Sequence, residues 1–363
     1  LGAAGLTFEY GSHDNRIEGN VFKDISGTAI QIGSSDDPKP HDDRQINRAH
    51  TIANNVITDI GAEYRGAIGI MLFVTQGTTV RNNEIHSVPY TGISSGALAG
   101  HASVPTAPDT NPNVNADNEI SRNVIYHHMS ALDDGGAIYL EGHQYETQYL
   151  PDGKIDHATS YARGLTLVGN VAYHHGGTGH AYYNDIGSQW ITWEQNVQWQ
   201  ALSAHGGCLP VGHITYSSNY QSDTIGDFGC GAPIDVVFEG NLRIPRQPGP
   251  DDLPLDILAM AGLEPAFRDI TTAQRPRIEY VHPSSGRARL PLDVVVGGSG
   301  FHQGMAVDWD GQAAISLEIL SSNFMIVRAP SGADLSLLRV STNGGSLRMR
   351  INDTNPAIRY TGT

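Results

Sequence analysis

The feature that most constrains the fold is a repeat in which an asparagine precedes an apolar residue, a few polar residues, a glycine and a short β-prone run. The anchoring asparagines are Asn20, Asn55, Asn83, Asn123, Asn170, Asn196, Asn219 and Asn241. Their spacings are 35, 28, 40, 47, 26, 23 and 22 residues. The minimum near 22 residues defines the repeating unit, and the excess in longer units predicts loops between anchors.

A unit of about 22 residues with short strands cannot bury an apolar face by itself, so it must stack on copies of itself. Leucine-rich repeats of this length need a Leu-x-x-Leu-x-Leu frame, which is missing here. The repeat therefore predicts an all-β fold, a right-handed parallel β-helix with coils about 4.8 Å apart. The stacked asparagines are expected to form a side-chain ladder.

The second strand of each unit aligns in a register that separates two faces, because strand side chains alternate. The inward column predicted by this alternation consists of Ile30, Ile68, Ile93, Ile138 and Tyr182. The outward residues are Gln31, Gly69, Ser94, Tyr139 and Tyr183, followed by Glu141 and Asp185. Chemically active side chains should therefore collect on one outer sheet.

The sequence divides into three segments. Residues 1–246 form the predicted β-helix, which we expect to lack N-terminal coils. Residues 247–275 are a Pro- and Asp-rich linker and a helix expected to cap the open end of the solenoid. Residues 276–363 carry spaced strands with Gly-rich turns, which predict a small β-sandwich. Their motifs PRIEYVHPSSG, VVVGGSGF, VDWDG and VSTNGG resemble an immunoglobulin-like IPT/TIG module, which implies an accessory role.

Charge narrows the range of partners. The net charge is −16 and the only lysines are Lys23, Lys39 and Lys154, so a nucleic acid or an anionic membrane is not an expected partner. A neutral partner fits better. The oligomeric state stays open.

The chain begins without Met and without a signal-peptide pattern, so we read it as a mature or truncated product. We expect a secreted or cell-surface protein of bacterial type. Cys208 and Cys230 each lie 11 residues before an anchor and should stack in successive coils. Both a disulfide and two buried thiols remain open.

Carboxyl groups on the outer sheet give the sharpest functional signal. Asp133 and Asp134 precede one strand, Glu141 ends it, and Asp185 takes the matching position in the next coil. Two carboxyl groups flanking a sugar linkage are what glycoside hydrolysis needs, one to protonate the leaving oxygen and one to attack or to activate water. The alternative is a solvated acidic edge.

Several stretches resemble the parallel β-helix enzymes of glycoside hydrolase family 141. They are TFEYGSHDNRIEGNVFKDISGTAIQIG, AEYRGAIGI, VPYTGIS, DDGGAIYLEG and YYNDIGS. The resemblance implies that Asp134, in Asp-Gly-Gly-x-Ile-Tyr, and Asp185, in Tyr-x-Asp-x-Gly-Ser, are the catalytic pair. It also implies α-L-fucosidase or xylanase activity on a plant-type polysaccharide.

The sequence departs from that family in three places. Residues 95–100 replace a Trp-rich run, the N-terminal coils are missing, and a loop from Gln144 to Arg163 is inserted between the two motifs. A platform for stacking sugars is therefore not expected at residues 95–100, and the loop should reshape the groove.

Further side chains are expected to contact substrate. They are Glu63, Arg65, Tyr90, Asp133, Tyr139, Glu141, His143, Tyr183 and Trp190. Tyr139, Tyr183 and Trp190 offer rings for stacking on sugars, and ladder packing between coils is the alternative. For Arg65 the alternative is a structural ion pair.

No metal or cofactor is expected. The pairs His127–His128 and His174–His175 should stack in register, but a repeat produces such stacking without any metal. The loop from Asp36 to Asp43 has oxygen ligands without EF-hand spacing, and we expect it to be solvated.

Two other functions on the same fold stay open. A polysaccharide lyase would need Arg or Lys to stabilise an enolate, and few basic residues project from the aligned strands. A non-catalytic glycan-binding module, such as an adhesin or a tailspike fragment, would need no acid pair. The sequence names neither the sugar nor the linkage.

Overall fold

The computed structural model describes residues 3–34, 42–96, 114–177, 180–206, 211–227, 233–271, 276–342 and 345–348. The chain divides into two compact units, Leu1–Arg246 and Gln247–Thr363. Cys208 and Cys230 lie outside the described residues, as does most of the Asp36–Asp43 loop.

The first unit is a parallel β-helix, which confirms the predicted fold class. Each coil contributes one strand to each of three eight-stranded parallel sheets, here called sheets A, B and C in the order in which the chain visits them. Sheet A consists of Leu6–Phe8, Ile30–Ile32, Ile70–Leu72, Ile93–Ser95, Gly136–Leu140, His180–Asn184, Leu202–His205 and Ile225–Asp227. Sheet B consists of Arg16–Glu18, Thr51–Ala53, Thr79–Arg81, Glu119–Ser121, Leu165–Val168, Gln189–Glu194, Gly212–Ser217 and Ile234–Glu239. Sheet C consists of Val21–Lys23, Val56–Thr58, Glu84–His86, Val124–Tyr126, Val171–Tyr173, Val197–Gln198, Tyr220–Gln221 and Leu242–Arg243.

The turn from sheet B to sheet C has two residues in every coil, and the second is always an anchoring asparagine. The first has a left-handed backbone, with φ between 54° and 71°. These first residues are Gly19, Asn54, Asn82, Arg122, Gly169, Gln195, Ser218 and Gly240. Gly and Asn, which tolerate this conformation best, supply five of the eight.

The predicted asparagine ladder runs the length of the first unit. From Asn20 to Asn219, the backbone N–H and the side-chain amide of each asparagine donate to Oδ1 of the next, at 2.9–3.0 Å. The second amide proton bonds a sheet B carbonyl of the preceding coil, as from Asn123 to Val80 at 3.0 Å. These bonds satisfy buried turn groups that water does not reach.

The inward column of sheet A forms the core as expected, with one correction. Ile30 pairs with Ile70, not with Ile68, and Ile70 pairs with Ile93. Met71 therefore replaces Gly69 as the outward residue. The sequence Ala-Ile-Gly-Ile-Met offers isoleucine at both alternate positions, so periodicity alone fits either register.

Long connections leave the solenoid chiefly between sheets A and B. One contains a short 3₁₀ helix, Asp43–Gln45, and the segment from Gln144 to Arg163 contains α1, His157–Arg163. Asp156 caps α1 by accepting a bond from the Thr159 N–H at 3.0 Å.

The second unit begins with a helix, Leu255–Met260, and a 3₁₀ helix, Pro265–Thr271. Two four-stranded antiparallel sheets follow, as the predicted β-sandwich requires. One sheet consists of Arg277–His282, Leu292–Ser299, Phe324–Ala329 and Ser316–Ile319. The other consists of Gln312–Ala313, Ala306–Trp309, Leu338–Thr342 and Gly345–Arg348, with a 3₁₀ turn at Leu335–Leu337. Residues such as Val294, Trp309 and Val327 form its core.

Replacement of a central ladder residue should destabilise the β-helix strongly. In Asn123→Ala the Asn83 backbone N–H loses its acceptor inside the protein, so we expect the free energy of unfolding to fall by about 2–4 kcal/mol. Asn20→Ala is the matched control, because Asn20 is exposed at the first rung, and it should cost about 1 kcal/mol or less. Urea unfolding followed by tryptophan fluorescence measures both. Equal losses in the two variants would contradict the ladder's role.

Candidate functional site

The acidic residues meet on the outer face of sheet A. Tyr139 and Tyr183 pair in register on adjacent strands, and their ring centroids lie 5.3 Å apart. Glu141 and Asp185 follow at the ends of the same strands, and the Asp185 N–H donates to the Leu140 carbonyl at 2.8 Å. Stacking of coils therefore brings together acids that are distant in the chain.

Asp134 sits in the turn that enters the strand Gly136–Leu140. Its backbone is left-handed, with φ of 60°, a conformation that Asp tolerates better than most residues. The Tyr90 hydroxyl donates to the Asp134 carbonyl at 2.6 Å and holds the turn. The residue after Asp134 must be glycine, because a Cβ at Gly135 would lie 2.6 Å from Thr91 Oγ1 and 2.7 Å from the Tyr90 ring.

The Tyr139 hydroxyl lies between two carboxyl groups, 2.6 Å from Asp185 Oδ2 and 3.0 Å from Glu141 Oε1. A phenol has one proton, so it donates to one carboxylate at a time, and the shorter bond is to Asp185. Tyr139 therefore joins Glu141 and Asp185 in one hydrogen-bonded cluster.

Burial shifts the pKa values of this cluster. Burial raises the pKa of Glu141, a hydrogen bond from Tyr139 opposes the rise, and the charges of Asp185 and Asp134 add to it. Burial, followed by the Glu141 charge, raises the pKa of Tyr139 far above its ordinary value, so it stays a phenol. Glu141 is therefore the group that burial and its neighbours favour in the protonated form.

Both Asp134 and Asp185 influence Tyr183. Burial and then the charges of Asp185 and Asp134 raise the pKa of its phenol. Gly206 in the next coil leaves room for that hydroxyl, because a Cβ at this position would overlap the Tyr183 oxygen. The charges of both aspartates thus act on one phenol.

His180 belongs to the cluster but was not predicted. Its ring contacts the Tyr183 ring, with centroids 4.5 Å apart, and the charges of Asp134 and Asp185 act on it. The register of its strand shifts between His180 and Tyr183, which is typical of a β-bulge. Simple alternation places His180 on the inner side with Tyr182, so the bulge is what brings it outward.

Three other predicted residues are exposed at the surface. Asp133 turns towards Gly177 and His175. Burial lowers the pKa of His175, and the charge of Asp133 raises it by a smaller amount. Glu63 and Arg65 are exposed in the loop that precedes Ile70. Within the part of the chain that the structure describes, no hydrogen bond or ion pair is found between either of these two residues and the acid cluster.

Trp190 and His143 require correction. Trp190 is fully buried, its Nε1 donates to Thr147 Oγ1 at 3.0 Å, and it stacks on His213. His143 is 2% exposed and pairs with Gln189 through a backbone bridge. The inserted segment that carries Thr147 and α1 covers this corner, so neither side chain presents a face to a sugar.

The histidine pairs stack as expected. His127 and His174 have ring centroids 4.9 Å apart, as do His128 and His175, and His175 Nδ1 lies 3.0 Å from His128 Nε2. Burial, followed by the His127 charge, lowers the pKa of His174 to about 3. These pairs pack ring against ring between coils.

Comparison with known proteins identifies a related fold. No family model and no curated protein matches the chain. A solved structure described as "Glycoside hydrolase" aligns with a TM-score of 0.51 and 22% identity, over 74% of this chain and 38% of that one. The chain thus spans less than two-fifths of that protein's length, and at this identity the likeness shows the fold. In the described ranges, no helix has the length and apolar character needed to cross a membrane.

The raised pKa of Glu141 predicts a pH-dependent gain in stability for Glu141→Gln. When folding raises the pKa of a carboxyl group, the group stabilises the folded protein fully at pH values below its pKa in the unfolded chain. That stabilisation is lost as the pH rises through its pKa in the folded protein. Gln stays neutral, so we expect a melting temperature a few degrees above wild type at about pH 8. The difference should vanish below the ordinary value of 4.5.

Calorimetry at both pH values measures this effect, with Asp133→Asn as the control. Asp133 is exposed beside the same strand, so its variant should show no such gain. A Glu141→Gln protein less stable than wild type at about pH 8 would show that the folded protein requires the charged carboxylate.

Proposed function

We propose that the protein is a glycoside hydrolase whose active site is the outer face of sheet A, with Asp134 and Asp185 as the catalytic pair. The observation that carries the proposal is the placement of both carboxyl groups on adjacent coils of one outer face. There the Tyr90 hydroxyl donates to the Asp134 carbonyl at 2.6 Å, and the Tyr139 hydroxyl donates to Asp185 Oδ2 at 2.6 Å. Two carboxyl groups on one face match the two-carboxylate requirement of glycosidic cleavage. The fold likeness to a structure named glycoside hydrolase and the resemblance to family 141 support it.

Asp185 is assigned the role of the carboxylate that attacks the anomeric carbon or activates water. It is only 5% exposed, and the Tyr139 hydroxyl donates to its Oδ2 at 2.6 Å. Tyr139 therefore positions Asp185. Glu141 lies on the other side of the same hydroxyl, at 3.0 Å.

Asp134 is assigned the role of the acid that protonates the leaving oxygen. Its carboxyl group is exposed at the rim of the strand, where a leaving sugar departs into water. The Tyr90 hydroxyl donates to its backbone carbonyl and fixes the turn, and the Asp134 charge acts on the Tyr183 phenol. Such positioning is a large part of what acid catalysis requires.

The substrate class follows from charge and exposure. Three carboxyl groups and a net charge of −16 repel uronates and sulfated sugars, so we propose a neutral glycan of the fucosylated or xylan type. Tyr139 and Tyr183 are 8% and 6% exposed, which leaves their rings little surface for stacking. Recognition therefore depends mainly on hydrogen bonds and on the more exposed Tyr90.

A lyase is the weaker candidate. Proton abstraction next to a uronate carboxylate needs a cation to stabilise the enolate, whereas the charges that act on Glu141, Tyr139 and Tyr183 are those of carboxyl groups and phenols. Unsaturated products with strong ultraviolet absorbance would identify a lyase. We further propose an extracellular location, where polysaccharides occur, and an IPT/TIG-like accessory role for residues 276–363.

Substitution of the two aspartates should have different effects on substrates with different leaving groups. With natural xylan or fucosylated oligosaccharides, Asp134→Asn and Asp185→Asn should each lower kcat/KM by at least about 100-fold. With an aryl glycoside, whose leaving group needs no proton, Asp134→Asn should keep most of its activity. Asp185→Asn should remain inactive on both. Reducing-sugar release and aryl absorbance measure the two reactions.

Asp152→Asn is the matched control, because Asp152 is exposed and pairs with Lys154 at 2.8 Å rather than with the acid cluster. Its activity should stay near wild type. Hydrolysis that survives both Asp134→Asn and Asp185→Asn would refute the assignment. Glycan binding without hydrolysis by the unmodified chain would instead indicate a binding module.

A further inference from the structure

A second cluster lies where the inserted segment meets sheet B. Trp190, His213 and Asp235 occupy equivalent positions in three consecutive coils. The residues just before them pair across the coils, and so do the residues just after them: Gln189, Gly212 and Ile234 on one side, and Ile191, Ile214 and Val236 on the other. Trp190, His213 and Asp235 all have a left-handed backbone, with φ of 62°, 50° and 53°. For residues other than Gly this conformation is uncommon, and here it recurs in register.

The three side chains stack in order along the solenoid. The rings of Trp190 and His213 are nearly parallel, with centroids 4.2 Å apart. His213 Nδ1 lies 2.9 Å from Asp235 Oδ2. Trp190 thus forms the apolar end of the stack, and His213 and Asp235 form its polar end.

α1 adds a second imidazole to the polar end. His157, its first residue, places Nδ1 3.3 Å from the same oxygen of Asp235. The rings of His157 and His213 are edge to face, with centroids 5.4 Å apart. One donor atom from each of His157, His213 and Asp235 lies within 4.8 Å of the other two.

Two imidazole nitrogens and one carboxylate oxygen are a donor set typical of zinc sites. Bonds of about 2.0–2.2 Å in tetrahedral geometry separate neighbouring ligand atoms by about 3.3–3.6 Å. The distance from His157 to Asp235 Oδ2, 3.3 Å, reaches that range, and the distance from His213, 2.9 Å, is slightly shorter. The side chains of His157 and Asp235 are 51% and 37% exposed, so water reaches the site and can supply the fourth ligand.

We propose that His157, His213 and Asp235 bind a divalent transition-metal ion of the zinc class, which fastens α1 to two successive coils. The ion would join an inserted segment to the sheet that it covers. Its ligands come from three separate parts of the chain, so they meet only in the folded protein. The proposal is independent of the acid cluster and of its assigned activity.

Zinc titration of the untagged full chain tests the site. After removal of metals with a chelator, isothermal titration calorimetry with ZnCl₂ should show one site. His157→Ala and Asp235→Asn should each weaken binding by at least about 10-fold. Because both side chains are exposed, the variants are expected to fold, which circular dichroism verifies.

His13→Ala is the matched control, since His13 is also exposed and also contacts an aspartate, Asp14. It should bind zinc as wild type does. Zinc should also raise the melting temperature of wild type and of His13→Ala, but not that of the two ligand variants. Failure of wild type to bind zinc, or binding unchanged in both ligand variants, would overturn the proposal.

Discussion

The asparagine ladder is the interaction on which the rest of the structure depends. Each asparagine uses its amide and its oxygen to hold the turn of its own coil and those of its neighbours. Since every sheet B to sheet C turn has two residues, the strands that flank this turn keep their register from coil to coil. This constancy brings Asp134 and Asp185, which are 51 positions apart in the sequence (185 − 134), to adjacent coils of one outer face.

Much of the fold was readable from the sequence because its constraints repeat. The anchoring asparagines located the turns, and alternation around Ile30, Ile93 and Ile138 separated the core face from the outer face. The strands of the second unit were found for a similar reason, since β-branched runs such as Leu292–Ser299 lie between Gly-rich turns. A pattern that recurs in every coil predicts the fold correctly even where single residues depart from it.

The errors arose where a single local feature decides the outcome. The two-residue period of a strand fits either Ile68 or Ile70 as the core residue, and only the pairing of Ile70 with Ile30 decides between them. His180 reaches the outer face through a bulge that leaves no periodic trace. For Trp190 the sequence left open stacking on a sugar or packing between coils, and the structure shows it packed on His213 beneath the inserted segment. Burial by a loop depends on tertiary contacts that composition does not encode.

The connections from sheet A to sheet B differ from the invariant turns. Four residues join Asn184 to Gln189, whereas 24 join Leu140 to Leu165, yet the strands that follow both connections pair in register. Residues can therefore be added at these corners without disturbing the hydrogen bonds that define the coil. The two-residue turn thus fixes one corner of each coil, whereas the corner between sheets A and B accepts chains of different length. New recognition surfaces can therefore arise by loop insertion while the core sequence stays the same.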